Sequence, residues 1–494
     1  MKKQTLPDWV VLHKEPKTEI KFINGIYYKY IVSYKYNSEK KRTDKITGAL
    51  LGKITETGFV ESQKQQIIKN LSHPTVDILN YGLFHLFSSL LIEEYKSFQT
   101  FFPQNVAEVV FSFSMFRWAY NSPIKRAPHY YRHDYCSNVH SVKSVSDKSV
   151  SSALKFVGEN RANVVEWMKS LLPDTEIGKE EFVMMDSTHI TSHSDLLTVN
   201  AKGYNPDFNF EKQVRLLYLF SSELQKPVYY RLVNGNITDV KSMVISIEEM
   251  NIAHVIYIAD KGFYSKGNID MLQEKNIQYL MPLQRNNALI NYSPLLKADF
   301  KKSNSYFIYQ RRIIWYFAYK REKNDYITFL DDELKVKEEA DYIKRVDSHP
   351  DEYTLEKFKE KLHKFGTLTL TYSINSEKSA EDIYKAYKQR NEIEMVFDSY
   401  KNFLGADVMY MQNRYVMEGW LVANFIAMIA YHKLFVRLRE AQKLKTTSPM
   451  DIIELSKAIY MLKINDEWKV SEITQKTIEL FSKIKIDYLK QMQS

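Results

Sequence analysis

Two apolar runs end in an acid, and a third acid stands on a later helical stretch: Phe182-Val183-Met184-Met185-Asp186, Val255-Ile256-Tyr257-Ile258-Ala259-Asp260, and Glu394. Short β-branched and apolar runs read as buried central strands, and an acid at the C-terminal end of such a run sits on the sheet rim where sites of open α/β sheets form. Three carboxylates converging there would bind a hard divalent cation. All-oxygen ligation without a His/Cys cluster favours magnesium or manganese over zinc. Two such ions about 4 Å apart can activate an oxygen nucleophile and relieve the charge on the leaving 3′ oxygen of a phosphodiester.

The residues around Glu394 sharpen this reading. Tyr387, Arg390, Glu394 and Lys401 form a Tyr-x2-Arg-x3-Glu-x6-Lys pattern. At roughly 100° per residue they project to about 0°, −60°, −20° and −40°, one face of a helix about 21 Å long at ~1.5 Å per residue. A metal site beside a phosphodiester needs this mixture: a carboxylate for the metal, a bidentate Arg fork and a Lys point charge for phosphate, and a Tyr to stack or hydrogen-bond. The alternative is a solvated helix face laced with i,i+4 ion pairs.

At these positions the chain resembles the DDE transposases of bacterial insertion sequences, the group marked by a Tyr-Arg-Glu-Lys motif around its third acid. Asp186-Ser187-Thr188 is similar to the first acid block, Asp260-Lys261-Gly262-Phe263 to the second, and Tyr387, Arg390, Glu394 and Lys401 fit the third. The resemblance covers roughly residues 180 to 435. It implies an RNase H-like sheet and cutting and joining of double-stranded DNA, at terminal inverted repeats and target, with two Mg2+ (or Mn2+) ions. It further implies a β-rich insertion beside the DNA end, which makes Arg285 and Trp315 candidate DNA contacts. Some relatives carry a tryptophan directly after the motif arginine, used against a flipped base in hairpin formation; here Asn391 stands there, with Trp315 a possible substitute.

The elements needed to position the acids can be read from the pattern. The strand to Asp186 is followed by Val214 to Phe220 and Pro227 to Leu232, a helix near Asp239 to Met250, the strand to Asp260, a helix near Lys266 to Glu274, and Gln278 to Leu283. Three strands, a helix and a fourth strand are the order of an RNase H-like core. Beyond it, Ser305 to Arg321, Asp325 to Leu330 and Thr367 to Tyr372 are strand-like and Asp331 to Arg345 is helical. The expected class is thus α/β: an RNase H-like catalytic core in two parts, 176–290 and 370–440, interrupted by a β-rich insertion at 291–369. A β-rich region at 1–75, an α-rich basic DNA-binding region at 76–175 and a helical C-terminus at 441–494 complete it.

In the first region Asn24-Gly25 signals a hairpin. Leu79 to Gln99 and Val106 to Tyr120 are predicted helical. A basic, aromatic loop follows around Pro123 and Pro128, where Lys125, Arg126 and Arg132 could grip a phosphate backbone, though ordinary connecting loops can have this composition. Ser146 caps a possible second helix of a helix-turn-helix pair. His189 and His193, four apart, invite a zinc reading, but no third ligand accompanies them. Met450 to Leu462 and Ser471 to Leu489 read as helices that could pair two subunits into a homodimer or close a core.

Composition narrows the classes. The chain has 494 residues, too many for one ordinary core. Residues 1–175 carry 24 Lys+Arg against 16 Asp+Glu, nearly the whole net charge of +9; a basic module on a near-neutral body suits a nucleic-acid enzyme. The single Cys136 excludes an internal disulfide and suits a reducing compartment, here a cytoplasmic one. The start of the chain lacks a signal-peptide pattern. The apolar stretch Trp420 to Tyr431 falls short of the roughly 20 residues that span a bilayer and reads as a core helix. Two rivals remain beside the resemblance: another RNase H-like nuclease using the same acids, or a non-catalytic DNA-binding repressor derived from such an enzyme, against which the intact acids argue.

Overall fold

The computed structural model describes residues 6–37, 40–62, 77–172, 181–202, 211–235, 239–250, 255–321, 323–374, 378–390, 399–406, 408–464 and 467–488. The chain divides into two compact units, residues 1–78 with 462–469, and residues 79–461 with 470–494.

The first unit is built on an antiparallel four-stranded sheet, β1 (Thr18–Ile23), β2 (Ile26–Asn37), β3 (Arg42–Thr55) and β4 (Gly58–Glu61), paired in that order. Asn24 and Gly25 take φ of 50° and 82° between the paired Ile23 and Ile26. Positive φ at both central residues is the turn that matches strand twist in a two-residue hairpin, and Asn-Gly is its preferred sequence.

The second unit opens with helices α1 (Gly82–Leu90), α2 (Ile92–Phe101), α3 (Gln104–Tyr120), α4 (Asp147–Glu159) and α5 (Arg161–Lys169). α3 is buried on nearly every face from Ala107 to Ala119. Ser146 and Ser149 form a reciprocal capping box that starts α4. The segment expected as a basic loop is instead helical: a single turn at Ile124–Arg126 runs into the helix Ala127–His133. Pro128 sits in its first turn, where a missing N–H costs nothing and the fixed φ favours the helix.

The sheet that follows contains β5 (Glu181–Ser192), β6 (Lys212–Ser221), β7 (Lys226–Asn234), β8 (Val255–Ala259) and β9 (Gln278–Pro282), with helix α6 (Asp239–Met250) before β8 and α7 (Lys266–Glu274) after it. The spatial order is β7-β6-β5-β8-β9; β7, β6 and β5 are antiparallel, while β8 is parallel to both β5 and β9. That order and those directions are the RNase H-like arrangement. β8 and β9 are buried at all five residues each, as strands in a parallel pair require when both faces are covered.

The strands of the expected β-rich segment 291–369 join the sheet of the core. β10 (Ser305–Tyr309), β11 (Arg312–Arg321), β12 (Asn324–Asp331) and β13 (Thr367–Ser373) extend the same sheet, because β13 pairs antiparallel with both β9 and β12. Helix α8 (Asp332–Ser348) and a short helix at Leu355–Lys361 connect β12 to β13. Side-chain pattern alone does not reveal that an unsatisfied edge of β9 is available for this pairing.

Beyond β13 come α9 (Ala380–Lys388), α10 (Arg414–Glu440), α11 (Pro449–Lys457) and α12 (Gln475–Lys483). The C-terminal helices are shorter than expected. α11 stops at Lys457, and Tyr460–Ile464 is a strand, consistent with its alternating β-forming residues. By length and mean hydropathy alone α10 could cross a membrane, but most of its apolar stretch is buried inside the fold, against α3, α4 and β7. It is a core helix.

The crossing of α4 and α10 depends on two glycines. A Cβ at Gly158 would overlap the Tyr415 carbonyl oxygen, and one at Gly419 the Leu154 carbonyl oxygen. The helices therefore meet backbone to backbone. Gly419→Ala should force them apart and cost about 1–3 kcal/mol, the range of overpacked cores. A urea melt with an unchanged midpoint would refute this contact's importance.

Candidate active site

The register of the parallel pair brings the two aspartates together. β8 ends at Ala259, which faces Met185 of β5, so Asp260 and Asp186 are each the next residue along adjacent parallel strands. Asp186 is not at the end of its strand, as its apolar run suggested. β5 continues to Ser192, held on its other side by β6 as far as the Thr191–Gln213 pair. The polar tail Ser187-Thr188-His189 can stay in a strand because most of its β6 partner, Val214 and Leu216 to Phe220, is apolar and buried. The rim at which the acids sit is the end of the parallel pairing rather than of the sheet.

Both carboxylates face one cation. Arg390 Nη1 lies 3.8 Å from Asp260 Oδ1 and 4.0 Å from Asp186 Oδ2, so the two acids are within twice that distance of each other. At these lengths the contacts are ion pairs rather than close hydrogen bonds. All three side chains are partly exposed, Arg390 at 16%, Asp186 at 22% and Asp260 at 32%, and the group opens to solvent. The Ser187 N–H donates to Asp186 Oδ1 at 2.8 Å, leaving Oδ2 turned to the guanidinium. Arg390 also lies 6.0 Å from the centre of the Tyr387 ring.

The helix that presents Tyr387 is well specified. Ser379 and Asp382 form a capping box at its start, and Ile383, Tyr384 and Ala386 face the core. Tyr384 packs edge-on against Phe307 and Tyr309 of β10 and also against Phe329 of β12, so the 291–369 segment buttresses it. The four motif residues do not share one uninterrupted α-helix among the described residues. Arg390 lies two residues past the end of α9, its N–H donating to the Tyr387 carbonyl at 3.1 Å, and Lys401 is in a π-helical turn, Ser399–Phe403. Glu394 and Asn391 lie outside the described residues.

The other expected contacts fall elsewhere. Arg285 is committed internally: Nη1 and Nη2 donate to the Glu338 carboxylate at 2.9 and 3.0 Å, and Nε to the Thr367 carbonyl at 3.0 Å. Trp315 on β11 donates from Nε1 to Asp332 Oδ2 at 3.2 Å, packs on Tyr306, and has the Lys301 ammonium 5.7 Å over its ring. Lys125, Arg126 and Arg132 are exposed on the 124–133 helical segment, remote in sequence from the aspartates. His189 sits within β5 opposite Arg215, and His193 stacks on Tyr410 at 5.2 Å. Among the described residues no group of three His, Cys, Asp or Glu is placed to hold a metal.

Two side chains near the site have no counterpart in the sequence reading, Lys388 and Arg312. Burial holds the Lys388 ammonium below the usual lysine range, helped by the neighbouring positive charges of Arg312, Arg390 and Arg285 and opposed by Asp331. Lys388 projects 100° away from Tyr387 on a helical wheel, off the stripe that singled out the motif. Its only local signal is its i,i+4 spacing from Tyr384, over whose ring it lies at 5.2 Å.

Of the comparisons with known proteins, a family match decides where the chain belongs. No curated protein matches the chain. Among solved structures it is similar to the piggyBac transposase synaptic complex with hairpin DNA, at 9% identity and a TM-score of 0.36 over 84% of this chain and 82% of that one. It is similar also to the Mos1 transposase paired-end complex with left transposon end, at 15% identity and a TM-score of 0.15 over 32% of this chain and 54% of that one. Residues 177–430 match the family described as Transposase DDE domain. That match spans more than half of the sequence and includes both aspartates and the whole Tyr-Arg-Glu-Lys pattern: the chain belongs to the DDE transposase family.

Proposed function

We propose that this transposase cleaves the ends of a DNA element bounded by inverted repeats and transfers the strands to target DNA, using Asp186, Asp260 and Glu394 to hold two Mg2+ or Mn2+ ions. The observation that carries the reading is the convergence of Asp186 and Asp260 on a single cation, the Arg390 guanidinium. The pairing shows that both acids are open to a shared cation, and the donor set, carboxylate oxygens, suits magnesium or manganese. Bound divalent ions would supply an activated oxygen nucleophile and neutralise charge on the leaving oxygen.

The chain's own part is to bind and orient the phosphodiester. Arg390 offers a planar fork for phosphate oxygens once its carboxylate partners are engaged by metal, with Tyr387 beside it and Lys401 further along. Exposed Lys125, Arg126 and Arg132 suit backbone attraction away from the acids. Arg285 and Trp315 support the reading indirectly, by holding the 291–369 segment in shape. The acting form is a homodimer in a synaptic complex, working in a bacterial cytoplasm.

The test is an end-labelled duplex containing the boundaries of the DNA that flanks the reading frame, incubated with the protein and Mg2+ or Mn2+. Expected are metal-dependent cuts at the inverted repeats and joined products with a target plasmid. Cutting that ignores the repeats would favour a general nuclease, and specific binding without cutting a repressor. A hairpin species on a denaturing gel would additionally assign the cut-and-paste route.

A further inference from the structure

In the first unit the hairpin of β2 and β3 outruns the sheet it belongs to. Among the described residues β1 pairs with β2 from Ile26 to Ile31, and β4 with β3 from Gly52 to Thr55. β2 and β3 pair with each other well beyond those limits, through Val32–Thr47, Tyr34–Lys45, Tyr36–Thr43 and Asn37–Arg42. This distal part is a ribbon open on both faces: Ser33 to Tyr36 are all exposed, as are Arg42 to Ala49 apart from Asp44. Tyr34 and Tyr36 are 63% and 64% exposed. A two-stranded ribbon with neither face covered is marginal by itself, and aromatic side chains are stabilised by leaving water.

Residues opposite one another in an antiparallel pair share a face, and successive residues alternate. One face of the ribbon therefore presents Tyr34 and Tyr36 with Thr43 and Lys45, and the other Lys35 and Arg42 with Asp44. Acids orient two of these cations: Lys45 Nζ lies 2.5 Å from Glu19, and Arg42 Nε donates to Asp44 Oδ1 at 2.9 Å while its side chain stays exposed. Lys40 and Lys41 are exposed beside the turn, where the Lys40 N–H donates to Asn37 Oδ1 at 3.1 Å. From Val32 to Thr47 the sequence holds five Lys and Arg against two Asp and Glu, a net of +3 out of +9 for the whole chain. Adding Lys21 and its partner Glu19 leaves that balance unchanged.

We propose that this ribbon is a DNA-binding arm that enters the major groove of the duplex, with Lys40, Lys41 and Arg42 at the phosphates and Tyr34 and Tyr36 against the groove wall. The major groove, about 12 Å wide, admits a two-stranded ribbon, whose strands lie about 4.8 Å apart. Cationic side chains and tyrosine hydroxyls are donors to phosphate oxygens. A second copy of this chain is a poorer occupant. Pairing along the ribbon edge would set one net charge of +3 beside another, and lysines on an edge oppose strand addition. The arm rests on the transposase reading for its DNA, and adds to it a contact outside the catalytic sheet and the 124–133 segment.

Fluorescence anisotropy of the full-length protein with a 30-base-pair duplex spanning an element boundary, repeated across salt concentrations, tests the arm. The combined change Lys40→Gln, Lys41→Gln and Arg42→Gln should lower the slope of log affinity against log salt by about 2 to 3, at ~0.9 per phosphate contact. Because the single cysteine, Cys136, is buried, Lys41→Cys can carry a photo-crosslinker at one chosen place. It should crosslink to the duplex. An unchanged salt slope, or no crosslink to DNA, would overturn the arm, and a crosslink to a second protein chain in its place would assign the ribbon to a dimer contact. Metal-dependent cleavage of the same duplex separates the two levels. A lowered slope and a DNA crosslink without cutting leave the arm standing and remove the transposase reading, while cutting with an unchanged slope removes the arm alone.

Discussion

Asp260→Asn should abolish strand cleavage while DNA binding persists or tightens slightly, and Asp186→Asn should behave alike. Metal-assisted charge stabilisation is worth several kcal/mol in a transition state, so at ~1.4 kcal/mol per tenfold the loss is on the order of 10^3-fold or more. Asparagine keeps the size of the side chain, and at position 186 it still leaves an oxygen for the Ser187 N–H. Packing is therefore preserved. Binding is expected to persist because the substitution removes a negative charge from the vicinity of a polyanion and releases Arg390 from one partner. A nicking assay paired with a gel shift reads both quantities on one preparation. An Asp260→Asn protein that cuts at the wild-type rate would eliminate the acid pair as the reaction centre, and Glu394→Ala extends the same test to the third acid of the motif.

Glu94→Gln should strongly destabilise the helical part of the second unit. Glu94 is 2% exposed and receives Lys226 Nζ at 2.8 Å and Lys433 Nζ at 2.6 Å, joining α2 to β7 and α10. Burial pushes the Glu94 carboxyl up, yet Lys226 and Lys433 together hold it below the usual range. Lys433 is itself depressed, because burial outweighs the pull of Glu94. The intact network is thus closer to break-even than the Glu94 shift alone suggests. Breaking it is another matter, since two partly buried ammonium groups lose their counter-ion, and removal of one partner of such a pair costs about 3–5 kcal/mol.

The pH dependence follows from the direction of the shift. A carboxyl depressed in the folded state contributes stability in full above its unfolded pKa, about 4.3, and loses it as pH falls through the lower folded value. Urea midpoints of Glu94→Gln and wild type should therefore differ widely at pH 7 and approach each other below about pH 4. Equal midpoints at pH 7 would show that the lysines find water instead.

Local chemistry made much of this protein legible. Caps such as Ser146 and the Asn24-Gly25 turn act within a few residues, and apolar runs such as Val255 to Ala259 announce buried strands wherever they occur. From such signals the order of β5 to β9 with its two helices, the position of Asp260 just past its strand, and the membership of Tyr387 in a helix followed directly, whereas Asp186 lies within a strand that runs on to Ser192. The basic segment at 124–133 was misread as a loop because its prolines are also at home in a first helical turn.

What the amino-acid sequence determined by itself was the chemistry available: two strand-borne aspartates and a Tyr-Arg-Glu-Lys pattern, each defined by neighbours in the chain. Only the tertiary structure decided that Asp186 and Asp260 stand level, that Arg390 lies near both, that residues 305–331 and 367–373 extend the same sheet, and that Arg285 is spent on Glu338. Those outcomes depend on strand register and on charges brought together from distant positions, and a spacing along one chain carries no information about which distant carboxylate a cation will meet.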